Sequence, residues 1–482
     1  MNRTLVLLAI LVSTCAAQNV LSPSSSRFNS QAWLEDFRQI LGEMASHYAN
    51  LEWAVENRKM DLPKLRSETE AKVRDARDDA DARKGIENFL AAFGDGHLEI
   101  RWPGANSSAN RTTEAPKDIC ARLGYDSPLR PGLDFSAIPD FAELADNSNL
   151  FPGGLLRVAN GRSIGIIRIG LFTEHAFPQV CAKAALNLHL TESAKCDDKC
   201  EDELEVATAN LLTVALVSRA NALQSAGAGS LLIDITNNGG GSNWVDAVPR
   251  ALSPIPLHDS RMAFIRHEHW TSQLEDRLRQ VQTDIDSHKQ APISLNVAAA
   301  TLRKAVEESR QPCDRTAVWV TGKLTCSLLV KNLLFVSGIL DYAAPGSLDS
   351  LVSREALFQP SRYAYSKKSD ALPIAVIVDR NTWSAAEYFA AVLQDNHAGT
   401  ILGEITGGAG CGYTNGGIPL TLKNSGAHLK MPDCVRLRAD GSNEVNGVTP
   451  DVFLQWSGHD SNFQRVAKLL PVLKMLQQDK HP

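Results

Sequence analysis

What the sequence lacks narrows it first. Beyond its first seventeen residues no run is long and apolar enough to read as a membrane span. Charge of one sign is scarce: the formal balance is −6 over 482 residues, a mild acidity that argues against nucleic acid as a partner. Neither of its two glycine loops is followed by Lys-Ser/Thr or has dinucleotide spacing, which removes phosphate-loop and Rossmann chemistry. Cys196-Asp-Asp-Lys-Cys200 has no second Cys or His pair nearby. His267-Glu268-His269 lacks the i, i+4 spacing of a helical zinc site and reads as a solvated strand edge, so no metal and no cofactor is expected. There is no Ser-x-x-Lys signature, which excludes the class A β-lactamase arrangement.

What is there begins with a leader. Met1 to Ala17 carries Arg3, an apolar stretch from Leu5 to Val12, and Cys15-Ala16-Ala17 before Gln18, the pattern of a secretory signal peptide. The expected setting is therefore export, periplasmic or extracellular. Removal of the leader leaves eight cysteines, an even number that in such a setting implies disulfides. Proximity in sequence suggests Cys120–Cys181, Cys196–Cys200, Cys313–Cys326 and Cys411–Cys434.

Residues 18–100 form an expected helical domain: Trp33, Phe37, Ile40, Leu41, Met44, Tyr48 and Leu51 recur at helical spacing, and the tract from Glu68 to Lys84 is rich in helix formers. It ends at Gly94-Asp-Gly-His97, where two glycines make a turn that presents His97 just before a short strand. Residues 103–116 read as a polar surface loop with sequons at Asn106 and Asn110. Leu155–Ala159 and Ser163–Ile169 read as a hairpin about Asn160-Gly161-Arg162, followed by a helix from about Asp202 to Gln224.

The buried strand Leu231–Ile235 empties into Thr236-Asn-Asn-Gly-Gly-Gly-Ser, an α/β crossover signature. Its glycine turn lies at a carboxyl strand end, where open sheets place ligands, and lets backbone N–H groups face a site. Residues 101–254 are the first part of this core. Residues 255–370 change in character and read as an insertion, with helical pieces at Gln273–His288 and Val297–Ser309 and strands near Val318–Val320 and Leu328–Val336.

The core resumes over 371–482. A β-branched strand, Ile374 to Val378, breaks sharply at Asp379-Arg-Asn-Thr382, and a helix follows from Ser384. A hydroxyl in that first turn sits where unpaired N–H groups and the helix dipole favour a developing anion, so Ser384 is a candidate nucleophile. Ser384-Ala-Ala-Glu387 equally fits a capping box, in which the serine is only an N-cap. A further strand, Gly399–Ile405, enters the second glycine loop, Thr406 to Gly412, and Asn443-Glu-Val-Asn-Gly-Val-Thr-Pro-Asp451 precedes an apolar helix from Phe463 to Leu476.

Four ordered stretches, Gly94–Leu98, Ile233–Gly241, Asp379–Glu387 with Gln394-Asp395, and Gly403–Gly408 with Gly447–Asp451, together resemble the C-terminal processing (tail-specific) serine protease family. The resemblance implies an α/β fold, a mixed sheet with crossover helices in a ClpP/crotonase-like core. It also implies a serine endopeptidase acting on peptides or unfolded protein. Members with a Ser/Lys dyad carry lysine where this chain has Ala409, and the stretch from His97 to Leu155 is short for the PDZ domain many relatives insert there. The remaining resemblance is to the tricorn-core branch, which implies Ser384, His97 and Glu444 acting together. The chemistry is consistent with that: the serine needs a base near neutral pKa, and the base an acceptor to orient it. The expected oxyanion donors are the N–H groups of Ala385 and of Gly239 or Gly240. Two alternatives are a non-catalytic binder of small hydrophobic ligands, as in the repeats of the interphotoreceptor retinoid-binding protein, and an esterase with the same residues.

Overall fold

The computed structural model describes residues 28–104, 118–145, 150–158, 163–191, 194–287, 293–366 and 372–478. The expected leader, the two sequons and the turn at Asn160-Gly161-Arg162 lie outside the described residues.

A seven-stranded mixed sheet forms the centre, in the order Val452–Phe453, Gly399–Gly403, Ile374–Val378, Ala228–Asp234, Ser163–Arg168, Gly153–Arg157, Phe141–Glu143. The first five run parallel and the last two antiparallel. Leu231, Ile233, Val376 and Val378 pack into the core that holds helices Asp198–Ser225 and Ala385–Asp395. Leu232 and Ile377, one residue out of phase, pack on the other face beneath Val466, Leu469 and Leu473 of helix Asn462–Gln478. Burial on both faces is why these strands read as unbroken apolar runs. Because the central strands are parallel, the loops after Asp234, Val378 and Gly403 emerge at one edge.

Helix Asp198–Ser225 is long and apolar enough to cross a membrane by length and composition, contrary to the sequence reading. Leu204, Leu212, Leu216 and Leu223 on it are nonetheless fully buried in the protein.

The helices Ser30–His47, Leu51–Glu56, Leu62–Arg74 and Asp79–Ala91 precede the sheet in sequence, the first, third and fourth capped by the side chains of Asn29, Asp61 and Asp78. Phe37, Ile40 and Met44 are fully buried, each stabilising the unit by about 1.5–3 kcal/mol. This helical layer shares its core with Leu429 and Met431, so the segment bearing His97 is fastened to the second half of the chain.

Residues 255–370 contribute strands Arg261–Ile265 and Leu329–Phe335, helices Glu268–Ser287 and Ile293–Ser309, and a separate apolar core. Two expectations fail here. Val318–Thr321 is a helical turn and not a strand, ended by Gly322 in the left-handed region. Glu268 and His269 begin a helix rather than a strand edge, and His269 is spent on Thr414 and Asp433. Strand Cys434–Arg436 pairs with Arg261–Ile265, which places Arg436 beside Ser384 at the carboxyl edge of the main sheet.

All four expected disulfides are formed: Cys120–Cys181, Cys196–Cys200, Cys313–Cys326 and Cys411–Cys434.

Candidate active site

Ser384 stands where strand Ile374–Val378 turns into helix Ala385–Asp395, with φ 56° and ψ −117°. A non-glycine residue held there costs on the order of 1–3 kcal/mol and persists only when its surroundings over-determine it. They do so here through main-chain bonds. Thr382 Oγ1 donates to the Ile235 carbonyl and accepts from Asp379 N–H, and Trp383 N–H donates to the Asn238 carbonyl at 2.9 Å. The turn is thereby stitched to the first glycine loop. A side chain at Gly240 (φ +93°) would lie 2.8 Å from Ser384 Cβ, so the close approach requires glycine.

The two readings of Ser384 separate at its hydroxyl. Ser384 and Glu387 are placed as a capping box, with Ser384 N–H donating to Glu387 Oε2 at 2.8 Å, and Glu387 N–H donates to the Ser384 carbonyl at 3.0 Å. The Ser384 hydroxyl makes no cap bond and lies 3.1 Å from His97 Nε2. Ser384 and His97 are both partly exposed.

His97 Nδ1 lies 2.5 Å from the carbonyl oxygen of Ala409. A carbonyl only accepts, so the proton sits on Nδ1 and the lone pair of Nε2 faces the serine. Burial, with Arg436 adding to it, lowers the His97 pKa below its ordinary value, against the opposing bond to Ala409. A side chain at Gly412 (φ +81°) would press on the imidazole at 3.1 Å. Tyr413 donates its hydroxyl to the His97 carbonyl, and Asp95 accepts from His97 N–H at 3.0 Å, from Asn50 at 2.8 Å and from Tyr48 at 3.0 Å.

Glu444 is not in contact with His97. Both its oxygens are taken by Arg436, at 3.0 Å from Nε and 2.6 Å from Nη2. Arg436 Nη2 also donates to the carbonyls of Ser384 and Gly410, so this buried pair braces the nucleophile turn and the second glycine loop. The acceptor for His97 is a backbone carbonyl.

Glu387, read in the sequence only as a capping partner, is fully buried and collects four donors. They are Ser384 N–H (2.8 Å), Thr406 Oγ1 (2.6 Å), Gly408 N–H (2.7 Å) and Ala409 N–H (2.8 Å). Burial and the nearby Glu444 charge raise its pKa while these bonds pull it down. One carboxylate thus fixes both the serine and the carbonyl that orients the histidine. Sequence reasoning missed Glu387, Arg436 and Tyr413 as site residues, and only the Ser-x-x-Glu spacing pointed to the first.

Of the expected oxyanion donors, Gly240 N–H is spent on Asn238 Oδ1 at 2.9 Å. Ala385 N–H and Gly239 N–H have no acceptor among the described residues. Gln394 and Asp451, quoted in the family motifs, are structural: Asp451 accepts from Gln394 Nε2 and Ile401 N–H. Among the described residues no group of three His, Cys, Asp or Glu side chains is placed to hold a metal ion.

A model of the family described as Peptidase family S41 matches residues 208–454, just over half of the chain. The match includes Ser384, Glu387, Arg436, Glu444 and both glycine loops, and leaves His97 outside. A curated protein of Chlamydia trachomatis serovar D is 25% identical over 258 residues, 51% of this chain and 38% of that protein, so the match spans about two fifths of the relative's length. Among solved structures, mature CPAF complexed with lactacystin is similar at a TM-score of 0.58 and 14% identity, covering 93% of this chain and 98% of that one. A second structure, of mature CPAF, is similar at a TM-score of 0.57 and 15% identity, covering 94% of this chain and 99% of that one. At these identities the likeness is one of fold.

Proposed function

The chain belongs to peptidase family S41, and from that premise we propose that it is a serine endopeptidase cleaving peptides or unfolded protein through an acyl-enzyme on Ser384. The observation that carries the reading is the placement of His97, with Nδ1 at 2.5 Å from the Ala409 carbonyl and Nε2 at 3.1 Å from the Ser384 hydroxyl, a geometry that puts the proton on Nδ1 and turns the Nε2 lone pair to the serine. In the first step His97 Nε2 takes the Oγ proton as Oγ attacks the scissile carbonyl carbon. The oxyanion that forms accepts from Ala385 N–H and Gly239 N–H. The imidazolium, its Nδ1–H still on the Ala409 carbonyl, then gives its proton to the departing amine. Water repeats the sequence and releases the acid. Glu444 acts through Arg436, as the counter-charge that holds the nucleophile turn, and not as a direct partner of the histidine. Four disulfides suit an oxidising, exported setting.

The test is hydrolysis of an unfolded protein and of fluorogenic peptides by the wild type and by Ser384→Ala. Peptide-bond cleavage lost in a folded Ser384→Ala supports the reading. Cleavage of activated esters without peptides would make the protein an esterase, and no turnover of either would make it a binder.

A further inference from the structure

Arg130 lies beside the oxyanion site with its charge unspent. A side chain built at Gly239 would meet the Arg130 guanidinium at 3.1 Å, and Gly240, the next residue, lies against Ser384 and Ala385. Arg130 is exposed, and among the described residues its guanidinium makes no hydrogen bond or ion pair. The neighbouring Arg168 differs. Its Nη1 meets Asp234 Oδ1 at 3.2 Å, and the other Asp234 oxygen accepts from Leu133 N–H, so that anion is committed to the scaffold.

The stem that carries Arg130 is fixed. Arg168 Nη2 donates to the Arg130 carbonyl at 3.0 Å, Asn237 Nδ2 to the Pro131 carbonyl at 3.2 Å, and Leu133 N–H to Asp234 at 2.8 Å. Three bonds fasten this segment over the carboxyl end of strand Ala228–Asp234 and the glycine loop behind it. The same segment walls a cavity of about 550 Å³ with Leu129, Leu133, Phe135 and Ile166. The acids Asp134 and Glu143 also line that cavity, and Asp134 is occupied with Ser136 N–H.

We propose that Arg130 is a specificity-determining residue that binds a carboxylate of the substrate next to the scissile bond. The proposal rests on the proposed peptidase activity at Ser384. An arginine with a free planar fork on a fixed stem is suited to carboxylate recognition. The carboxylate has two possible sources, an Asp or Glu side chain or the free C-terminus of the substrate, and the same cation serves both.

The experiment measures kcat and KM for peptide sets that differ only in charge: Asp or Glu against Asn or Gln at each position flanking the cleavage point, and free acid against C-terminal amide. The wild type should prefer one anionic member by roughly 10- to 100-fold in kcat/KM, the span one charge-assisted hydrogen bond supports. Preference in the acid/amide set assigns the C-terminus, and preference in the other set assigns a side chain. Arg130→Gln should erase the preference and Arg130→Glu should reverse it. Equal losses on charged and neutral peptides would overturn the proposal, leaving Arg130 as support for Gly239, and so would a wild type that cleaves both alike. A wild type that cleaves no peptide fails the peptidase reading instead, an outcome seen before any Arg130 variant is compared.

Discussion

Replacing Glu387 by Gln removes a charge and almost no volume from the point where serine and histidine are both held. The carboxylate accepts four hydrogen bonds, from Ser384, Thr406, Gly408 and Ala409, in a fully buried position. A glutamine carbonyl can accept two of them, and its NH₂ then faces the other two donors. Two buried unsatisfied groups at about 1–3 kcal/mol each give a loss of roughly 2–6 kcal/mol, a large part of a typical stability of about 5–15 kcal/mol. The catalytic effect has a separate origin. Once Ala409 N–H is released, its carbonyl no longer fixes the His97 tautomer, and the rate should fall ~10²- to 10³-fold, below the ~10⁴ of a wholly misoriented base. Urea unfolding gives the first quantity, and single-turnover cleavage of a fluorogenic peptide by the fraction that remains folded gives the second. A Glu387→Gln protein with wild-type stability and rate would refute the reasoning.

Glu444→Gln should leave His97 oriented, because its acceptor is Ala409; it should cost stability by weakening a buried pair and reduce kcat by ~10² or less, and a ~10⁴ loss in a stable variant would instead make Glu444 the orienting acid. The pH profile of the rate and that of the stability contributed by buried acids should run in opposite directions. Since His97 is lowered by burial, kcat/KM should rise with pH through a value below the ordinary ~6.5. Burial raises the pKa of Asp95 to about 6 and those of Glu174 and Asp246 to about 7. For an acid raised in the folded state the native form binds the extra proton, so its stabilising contribution is complete below the unfolded pKa and is lost as pH rises through the folded one. These acids should therefore stabilise the fold as pH falls from about 8 to about 5, while the lowered His47, His97 and His267 oppose them. In the Ser384→Ala background, urea midpoints of Glu174→Gln should rise less toward about pH 5 than those of its parent, and parallel profiles contradict the shift at Glu174. Paired Cys411→Ser and Cys434→Ser, opening a link across a sequence separation of 23, should cost about 3 kcal/mol and loosen the Ala409 loop; thermal unfolding that is unchanged speaks against the brace.

The parallel core was legible because buried strands and glycine turns each leave a local pattern: Ile374–Val378 and Leu231–Ile235 could be read from composition alone. The four disulfides followed from proximity. Other features carried no local signal. Val318-Trp319-Val320 has the β-branched and aromatic composition of a strand, yet Asp314 caps the preceding turn and Trp319 and Val318 are drawn into the helical core, so tertiary packing overrode propensity. Glu444 matched a motif, but its partner was decided by Arg436, which arrives from a strand that pairs with the inserted region. The Ala409 carbonyl could not be found at all from side-chain identities, since the group that orients His97 is backbone and its direction is set by Glu387 from another element.

The central claim is that Ser384 is a nucleophile activated by His97. Labelling of the folded wild type with a fluorophosphonate, mapped by mass spectrometry, tests it most directly, with Ser384→Ala and His97→Ala alongside. The account predicts one adduct, on Ser384, absent in Ser384→Ala and strongly reduced in His97→Ala. A folded wild-type protein that takes no label, a label on another residue, or undiminished labelling in His97→Ala would contradict it.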